Sequence, residues 1–144
     1  MQATIIADSL VLTLYGFVGQ VADHNYSMVG KQLMDAMWKE IALRRLAHKG
    51  INHWVYESED RLFVGVELDK IPDRTDLICK EIVIPQYAYW KHVGDYSTLG
   101  AAYEAIYTDL RSKGVQHVYP HLEIYGHWTD DTSQLETELI ISIT

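Results

Sequence analysis

Runs of apolar residues predict two helices and six strands along the chain. Amphipathic helices are predicted over about 24–47 and 95–112, because apolar residues recur there at three- and four-residue spacing. These apolar stripes include Tyr26 in the first helix and Tyr103 in the second. A dense apolar run precedes each helix, and two shorter strands follow it. The predicted strands are 10–18, 51–56, 61–68, 82–90, 119–125 and 136–143. The order of elements is therefore βαββ, and it occurs twice along the chain.

An internal repeat supports this order. Residues 25–30 (NYSMVG) match residues 95–100 (DYSTLG), and residues 50–53 (GINH) match residues 114–117 (GVQH). We predict a single domain, residues 1–144, with repeat one at about 9–69 and repeat two at about 81–144. Its fold class is α+β: duplicated βαββ units with pseudo-two-fold symmetry, forming a mainly antiparallel sheet with two helices on one face and a ligand cleft.

The segment that joins the two repeats is polar over residues 70–80 and then contains Pro85 within the predicted strand 82–90. Proline cannot donate a hydrogen bond to a neighbouring strand, so Pro85 favours an edge position or a bulge. An unpaired edge there could join a second copy of the chain in a homodimer.

Composition restricts the function classes. The net charge is −8, and the 12 basic residues form no run longer than Arg44-Arg45, so no nucleic-acid partner is predicted. Cys79 is the only cysteine, which excludes an intrachain disulfide and suits a reducing compartment. The N-terminal apolar run contains Asp8 and is too short to span a bilayer, so we predict a cytoplasmic protein without a membrane partner.

The strand 119–125 contains the most informative candidate site residue. Alternation puts Leu122 and Ile124 on one face, which we expect to pack against the helices, and Glu123 and Tyr125 on the other. A carboxylate between aromatic rings suits a lipophilic cation, through ion pairing and cation–π attraction. The alternative is that Glu123 points into solvent from an exposed sheet face.

Aligning the two repeats with an offset of 69 residues matches Trp54 to Glu123 and Tyr56 to Tyr125. These four side chains would then share one central surface. The Gly50/Gly114 match implies a different offset, which leaves the register open. We predict that the rings lining the cleft are those of Trp54, Tyr56, Trp90, Tyr96 and Tyr125.

Metal and nucleophilic chemistry lack a supporting pattern. His121 and Glu123 share a strand face, but no third ligand at a recognisable spacing can be named, so no metal and no other cofactor are predicted. The chain contains no G-x-S-x-G segment, and Gly94-Asp95 alone is not a phosphate loop. Hydrolysis by a classical nucleophile is therefore disfavoured.

Three segments of the second repeat carry a resemblance to a known family. They are residues 87–96 (YAYWKHVGDY), 102–107 (AYEAIY) and 120–125 (PHLEIY), followed by a Thr/Asp loop and a closing strand. In this order they resemble the GyrI-like small-molecule-binding domain, which includes effector-binding domains of AraC- and MerR-type multidrug regulators and stand-alone relatives. The resemblance extends over residues 10–143. The usual Gly-Pro-Tyr is Gly94-Asp95-Tyr96 here, which leaves the shape of that loop open.

The resemblance implies a duplicated βαββ fold, in agreement with the repeat, and a buried glutamate at the position of Glu123 that recognises cationic drugs or dyes among aromatic side chains. The predicted function is binding of small hydrophobic, cationic compounds by a sequestering or sensing module without its own DNA-binding domain. One alternative is a hydrolase of electrophilic cyclopropane-type toxins that uses Glu123 and Tyr125. Another is a protein-interaction module such as a gyrase modulator. We favour a binding protein over an enzyme.

Overall fold

The computed structural model describes residues 3–144, which form eight strands and two α-helices. The helices are α1 (Tyr26–Arg44) and α2 (Leu99–Ser112), and a short 3-10 turn at Tyr96–Thr98 leads into α2. The strands are β1 (Thr4–Ile6), β2 (Leu10–Gln20), β3 (His53–Ser58), β4 (Arg61–Val66), β5 (Ile78–Ile84), β6 (Tyr87–Val93), β7 (His117–Tyr125) and β8 (Glu136–Ile143).

The eight strands form one antiparallel sheet in the order β1-β6-β8-β7-β3-β4-β2-β5. The first βαββ unit is β2-α1-β3-β4, and the second is β6-α2-β7-β8. Strands β3 and β7 are neighbours at the centre, and from this pair outwards the two units arrange their strands in the same order. The predicted α+β fold with duplicated units and pseudo-two-fold symmetry is confirmed.

The two outer strands are exchanged between the units. Strand β1 leads into the first unit but pairs with β6 of the second, whereas β5 leads into the second unit but pairs with β2 of the first. Only residues 85 and 86 separate β5 from β6, although these strands lie towards opposite ends of the sheet. The sheet must therefore curl, so that its two ends approach each other and one of its faces lies on the inside of the curl. The cluster inside the curl joins both units, with Leu14 and Ile82 beside Leu122 and Ile140.

Both helices cover the opposite face of the sheet. Met37 and Ile41 of α1 pack with Trp54 and Val64, and Ile106 of α2 packs in a second cluster with sheet residues that include Leu139. Trp54, Glu123 and Leu139 are directly opposite one another on β3, β7 and β8, so they share one face.

This arrangement corrects the predicted assignment of the faces of β7. We expected Leu122 and Ile124 to meet the helices, but both pack inside the curl, and the face with Glu123 is the one beneath α1 and α2. The prediction failed because the curl buries the face that has no helix. Alternation separates the two faces of a strand without saying which face the helices cover.

The predicted strand 82–90 is in fact two strands. It is interrupted at Pro85 and Gln86, where the chain leaves β5 and enters β6. Proline in this position ends the pairing of β5, since it offers no backbone N–H. Strand β5 also begins at Ile78, inside the segment 70–80 that we expected to be the polar connection between the repeats.

The helices are slightly shorter than predicted. Asp95 accepts a hydrogen bond from the backbone N–H of Ser97 at 2.9 Å and thereby caps the 3-10 turn that leads into α2. Asn25 precedes α1 without a side-chain capping bond. Within residues 3–144, neither helix combines the length and the apolar character needed to cross a bilayer.

Candidate functional site

A cavity of about 690 Å³ lies at the junction of the two units, on the helix-covered face of β3 and β7. We call this cavity the cleft. Tyr26 and Met34 of α1 form one wall, and Tyr96 and Leu99 line the cleft at the start of α2. The volume lies in the range of about 300–1,000 Å³ that is typical of small-molecule pockets.

Glu123 lies in the sheet at the base of the cleft and is only 4% exposed. Three tyrosine hydroxyls donate hydrogen bonds to its carboxylate. Tyr56 and Tyr125 reach Oε1 at 2.7 Å and 2.6 Å, and Tyr103 reaches Oε2 at 2.6 Å. In the described part of the chain, Glu123 has no ion-pair partner among the Lys, Arg and His side chains. Neutral donors therefore surround the carboxylate without balancing its charge.

The three tyrosines stay protonated over the physiological range. Burial, and then the nearby charge of Glu123, raise the pKa of Tyr56, Tyr103 and Tyr125 well above the usual value for a phenol. A phenol near a carboxylate favours its neutral form, because its ionisation would place two negative charges side by side. The hydroxyls therefore act as fixed hydrogen-bond donors.

Aromatic rings make the walls around the carboxylate. The Tyr125 ring meets Trp54 edge to face at a centroid distance of 5.6 Å, and it meets Tyr96 in the same way at 5.3 Å. Trp128 continues this row, 6.3 Å from Tyr96, and is 65% exposed in the loop between β7 and β8. Such edge-to-face contacts are favourable aromatic geometries, and they leave ring faces available to a ligand.

The structure brings five of the six predicted site residues together. Glu123, Tyr125, Trp54, Tyr56 and Tyr96 all line the cleft. Trp90 does not, because it is buried in the cluster beneath α2 together with Ala88 and Leu139. Its position on β6, one strand beyond β8, places it beneath α2 rather than beside the central strands.

The register that the sequence left open is also defined. Trp54 and Glu123 face each other directly across the β3–β7 pair, as two equivalent positions do at a local two-fold axis. Tyr56 and Tyr125, each two residues further along its strand, lie on either side of this pair, and both donate to Oε1 of Glu123. The offset of 69 residues therefore describes the central strands.

Sequence reasoning missed two contributors. Tyr103 was part of the predicted apolar stripe of α2. Within residues 3–144, its hydroxyl is nevertheless the only group that donates a hydrogen bond to Oε2 of Glu123. Tyr26, also counted as an apolar helix residue, lines the cleft and meets Tyr56 edge to face at 5.4 Å. A tyrosine where a leucine would serve for packing is a signal that a polar partner lies opposite.

The site offers carboxylate and phenol chemistry. Among residues 3–144, no group of three or more His, Cys, Asp or Glu side chains is arranged to hold a metal ion. Oε1 of Glu123 already accepts two hydrogen bonds and Oε2 accepts one. Since a carboxylate offers about four acceptor sites, Oε2 retains room for one further donor, such as a ligand N–H or a water molecule.

Solved structures with the same fold include one bound to a small molecule and one described as a hydrolase. The chain matches the EcmrR C-terminal domain with a TM-score of 0.77 and 14% identity, over 99% of this chain and 98% of that one. It matches SAV2435 bound to tetraphenylphosphonium with a TM-score of 0.68 and 13% identity, over 100% and 94%. A hydrolase from Listeria innocua matches with a TM-score of 0.57 and 12% identity, over 99% and 92%.

No family model and no curated protein matches the sequence. At such low identities the structural likenesses establish the fold. That fold, a duplicated βαββ unit, is the one implied by the resemblance to GyrI-like domains, and the chain shares it with these structures over essentially its whole described length.

Proposed function

We propose that this protein binds small hydrophobic cations in the cleft, with Glu123 as the charge-selecting residue. The observation that carries the proposal is a carboxylate that is 4% exposed, lines a cavity and has no cationic partner in residues 3–144. A bound cation would supply the missing charge.

The energetics favour this assignment over a purely structural role. Removing an ionised carboxylate from water costs several kcal/mol, even after relaxation of its surroundings. Hydrogen bonds to a charged group contribute about 1.5–3 kcal/mol each, so three tyrosine donors offset much of this cost. They orient the carboxylate without supplying a positive charge, and the site is therefore preorganised for a positive ligand.

The aromatic walls supply the second part of the affinity. Trp54, Tyr96 and Tyr125 present rings around the carboxylate, and each ring face adds about 0.5–2 kcal/mol of cation–π attraction. An aromatic cation also gains from burying its own rings in the cleft. SAV2435, which shares the fold, is bound to tetraphenylphosphonium, a cation of this class.

A paired titration tests the proposal. Tetraphenylphosphonium and neutral triphenylphosphine oxide are titrated calorimetrically into the wild type and Glu123→Gln. Truncation of one partner of a buried charge pair costs about 2–5 kcal/mol. We therefore expect the phosphonium to lose affinity by about 30-fold to several thousand-fold. The phosphine oxide should lose far less, since its stacking contacts survive.

Glu138→Gln is the matched control. Glu138 also accepts a hydrogen bond from a tyrosine, Tyr89, at 3.0 Å, but it lies outside the cleft. This variant should bind both compounds as the wild type does. Equal losses for both compounds in Glu123→Gln, or no loss for either, would make Glu123 a structural residue and contradict the proposal.

A hydrolytic activity is the second candidate, favoured by the shared fold of the Listeria hydrolase and by the acceptor site left on Oε2 of Glu123. A water molecule held there would have a carboxylate as its general base. Incubation with an electrophilic cyclopropane compound, followed by mass spectrometry, separates the two functions. Turnover that disappears in Glu123→Gln would support catalysis, whereas quantitative recovery of the compound would support binding alone.

A further inference from the structure

A second cavity, of about 270 Å³, lies on the other side of Glu123. We call it the inner compartment. It shares Tyr26, Tyr56 and Glu123 with the cleft. None of the residues that the sequence predicted as ligand-binding lines this compartment except Tyr56 and Glu123.

The hydrogen bonds of Glu123 connect the two spaces. Oε1 accepts from Tyr125, which lines the cleft but not the inner compartment. Oε2 accepts from Tyr103, which lines the inner compartment but not the cleft. The carboxylate therefore stands at the junction, with one oxygen tied to each side. A cation at Glu123 could extend substituents in both directions.

The walls of the inner compartment are aromatic. Tyr107 stacks on His117 at a centroid distance of 4.3 Å, and Tyr119 stacks on His121 at 4.7 Å. Burial, followed by the neighbouring His117, lowers the pKa of His121 to about 4, so this imidazole adds no positive charge beside Glu123 near neutral pH. Its Nε2 is buried without a hydrogen-bond partner in the described chain, so the protein leaves a polar atom of this wall unsatisfied.

We propose that the cleft and the inner compartment form one bipartite site, which selects cations with two aromatic arms over cations with one. This inference rests on the proposed function and specifies its ligand class. An apolar cavity of about 150 Å³ holds a benzene ring. The inner compartment, at about 270 Å³ and open to solvent beside Tyr119, therefore has room for an aryl arm. The other arm lies in the cleft, against the rings of Tyr96 and Trp128.

Two quaternary ammonium probes test the inference by calorimetry. Benzyltrimethylammonium has one aromatic arm and dibenzyldimethylammonium has two. Tyr119→Ala removes a ring from the inner compartment; Tyr119 is 46% exposed and gives no hydrogen bond to Glu123, so the fold should survive. We expect the two-armed probe to bind this variant about two- to tenfold more weakly than the wild type, the range for loss of one aromatic contact. The one-armed probe should be unchanged.

Trp128→Ala is the matched control, because Trp128 is an exposed ring that lines the cleft alone. It should weaken both probes by the same factor, and Tyr119→Trp should restore the two-armed probe. Equal effects of Tyr119→Ala on both probes, no effect on either, or equal wild-type affinities would overturn the bipartite site. Absence of binding by both probes, or their insensitivity to Glu123→Gln, would instead overturn the proposed function.

Discussion

The two βαββ units differ at the equivalent positions on their central strands, which carry Trp54 and Glu123. In the first unit, Trp54 fills the space beneath α1, and a Cβ atom added to Gly30 would lie 2.2 Å from its ring. In the second unit, the equivalent positions carry Glu123 and Gly100, and a Cβ atom added to Gly100 would have no neighbour within 4 Å. In the first unit an indole ring packs against the helix glycine, whereas in the second unit a carboxylate takes the place of the ring and the helix glycine is exposed.

This difference explains how a symmetric scaffold acquires an asymmetric site. At the paired central position, the first unit has Trp54 on β3 and the second has Glu123 on β7. Tyr56 and Tyr125 remain equivalent, and both point their hydroxyls at the single carboxylate. The proposed binding site therefore arises from one departure from symmetry, at Glu123, within walls that both units provide.

The largest expected effect is a loss of stability when Trp54 is removed from the first unit. Trp54 is 8% exposed and packs in the cluster beneath α1, so Trp54→Ala should leave a cavity that costs about 3–5 kcal/mol of the free energy of unfolding. Urea denaturation measures this loss. Trp128→Ala, at a position that is 65% exposed, should change stability by less than about 0.5 kcal/mol. A similar stability for both variants would show that Trp54 does not contribute to the packing beneath α1.

The second expected effect is a pH dependence of the free energy of unfolding that arises from His121 in the second unit. His121 of the second unit is equivalent to Asn52 of the first, which does not titrate. Because its folded pKa of about 4 lies below the unfolded value of about 6.5, the unfolded chain binds the proton first as the pH falls. The contribution of His121 is complete above pH 6.5 and declines down to about pH 4, by about 3 kcal/mol in all.

His121→Asn, which copies the first unit, should remove this part of the acid sensitivity. The measurement compares the free energy of unfolding of both proteins at several pH values between 4 and 6.5. Burial also lowers the pKa of His53, so both proteins retain a slope of the same sign. The slope of the variant should be clearly smaller, and equal slopes would contradict the assigned role of His121 irrespective of the stability of the variant at neutral pH.

The smallest expected effect tests the two glycines directly. Gly30→Ala must displace Trp54, and overpacking of this kind costs about 1–3 kcal/mol. Gly100→Ala adds a methyl group into open space on a helix, where alanine is favoured over glycine by about 0.5–1 kcal/mol, so it should stabilise the protein. Thermal or urea unfolding would detect the opposite signs. Changes of the same sign would mean that the surroundings of the two glycines are alike.

Much of the fold could be predicted because it depends on local pattern. The three- and four-residue spacing located α1 and α2, and the repeated Tyr-Ser-x-x-Gly segment revealed the duplication. The predicted strand 136–143 matches β8 at both ends. The exchange of β1 and β5 could not be predicted in this way, because pairing between distant strands leaves no periodicity in either of them.

Part of the site could also be predicted. Strand alternation placed Glu123 and Tyr125 on one face, and the offset of 69 residues brought Trp54 and Tyr56 to the same surface. Trp90 is also an aromatic residue on a predicted strand, but it lies in the core. The position of a residue in the sheet, rather than its type, determines what covers it. Tyr103 was read as a packing residue because helical spacing reports the direction of a side chain and not the partner of its hydroxyl.

By itself, the sequence determined the two helices, the duplication and the alternation of side chains along β7. It also determined that Glu123 on β7 has no acidic counterpart in the first repeat, where the aligned residue is Trp54. Only the tertiary structure decided which face the helices cover, that three tyrosines converge on Glu123, and that cavities lie on both sides of it. The reason is physical: periodicity is set by the backbone of one element, whereas burial and hydrogen-bond partners depend on how a curled sheet brings several distant elements together.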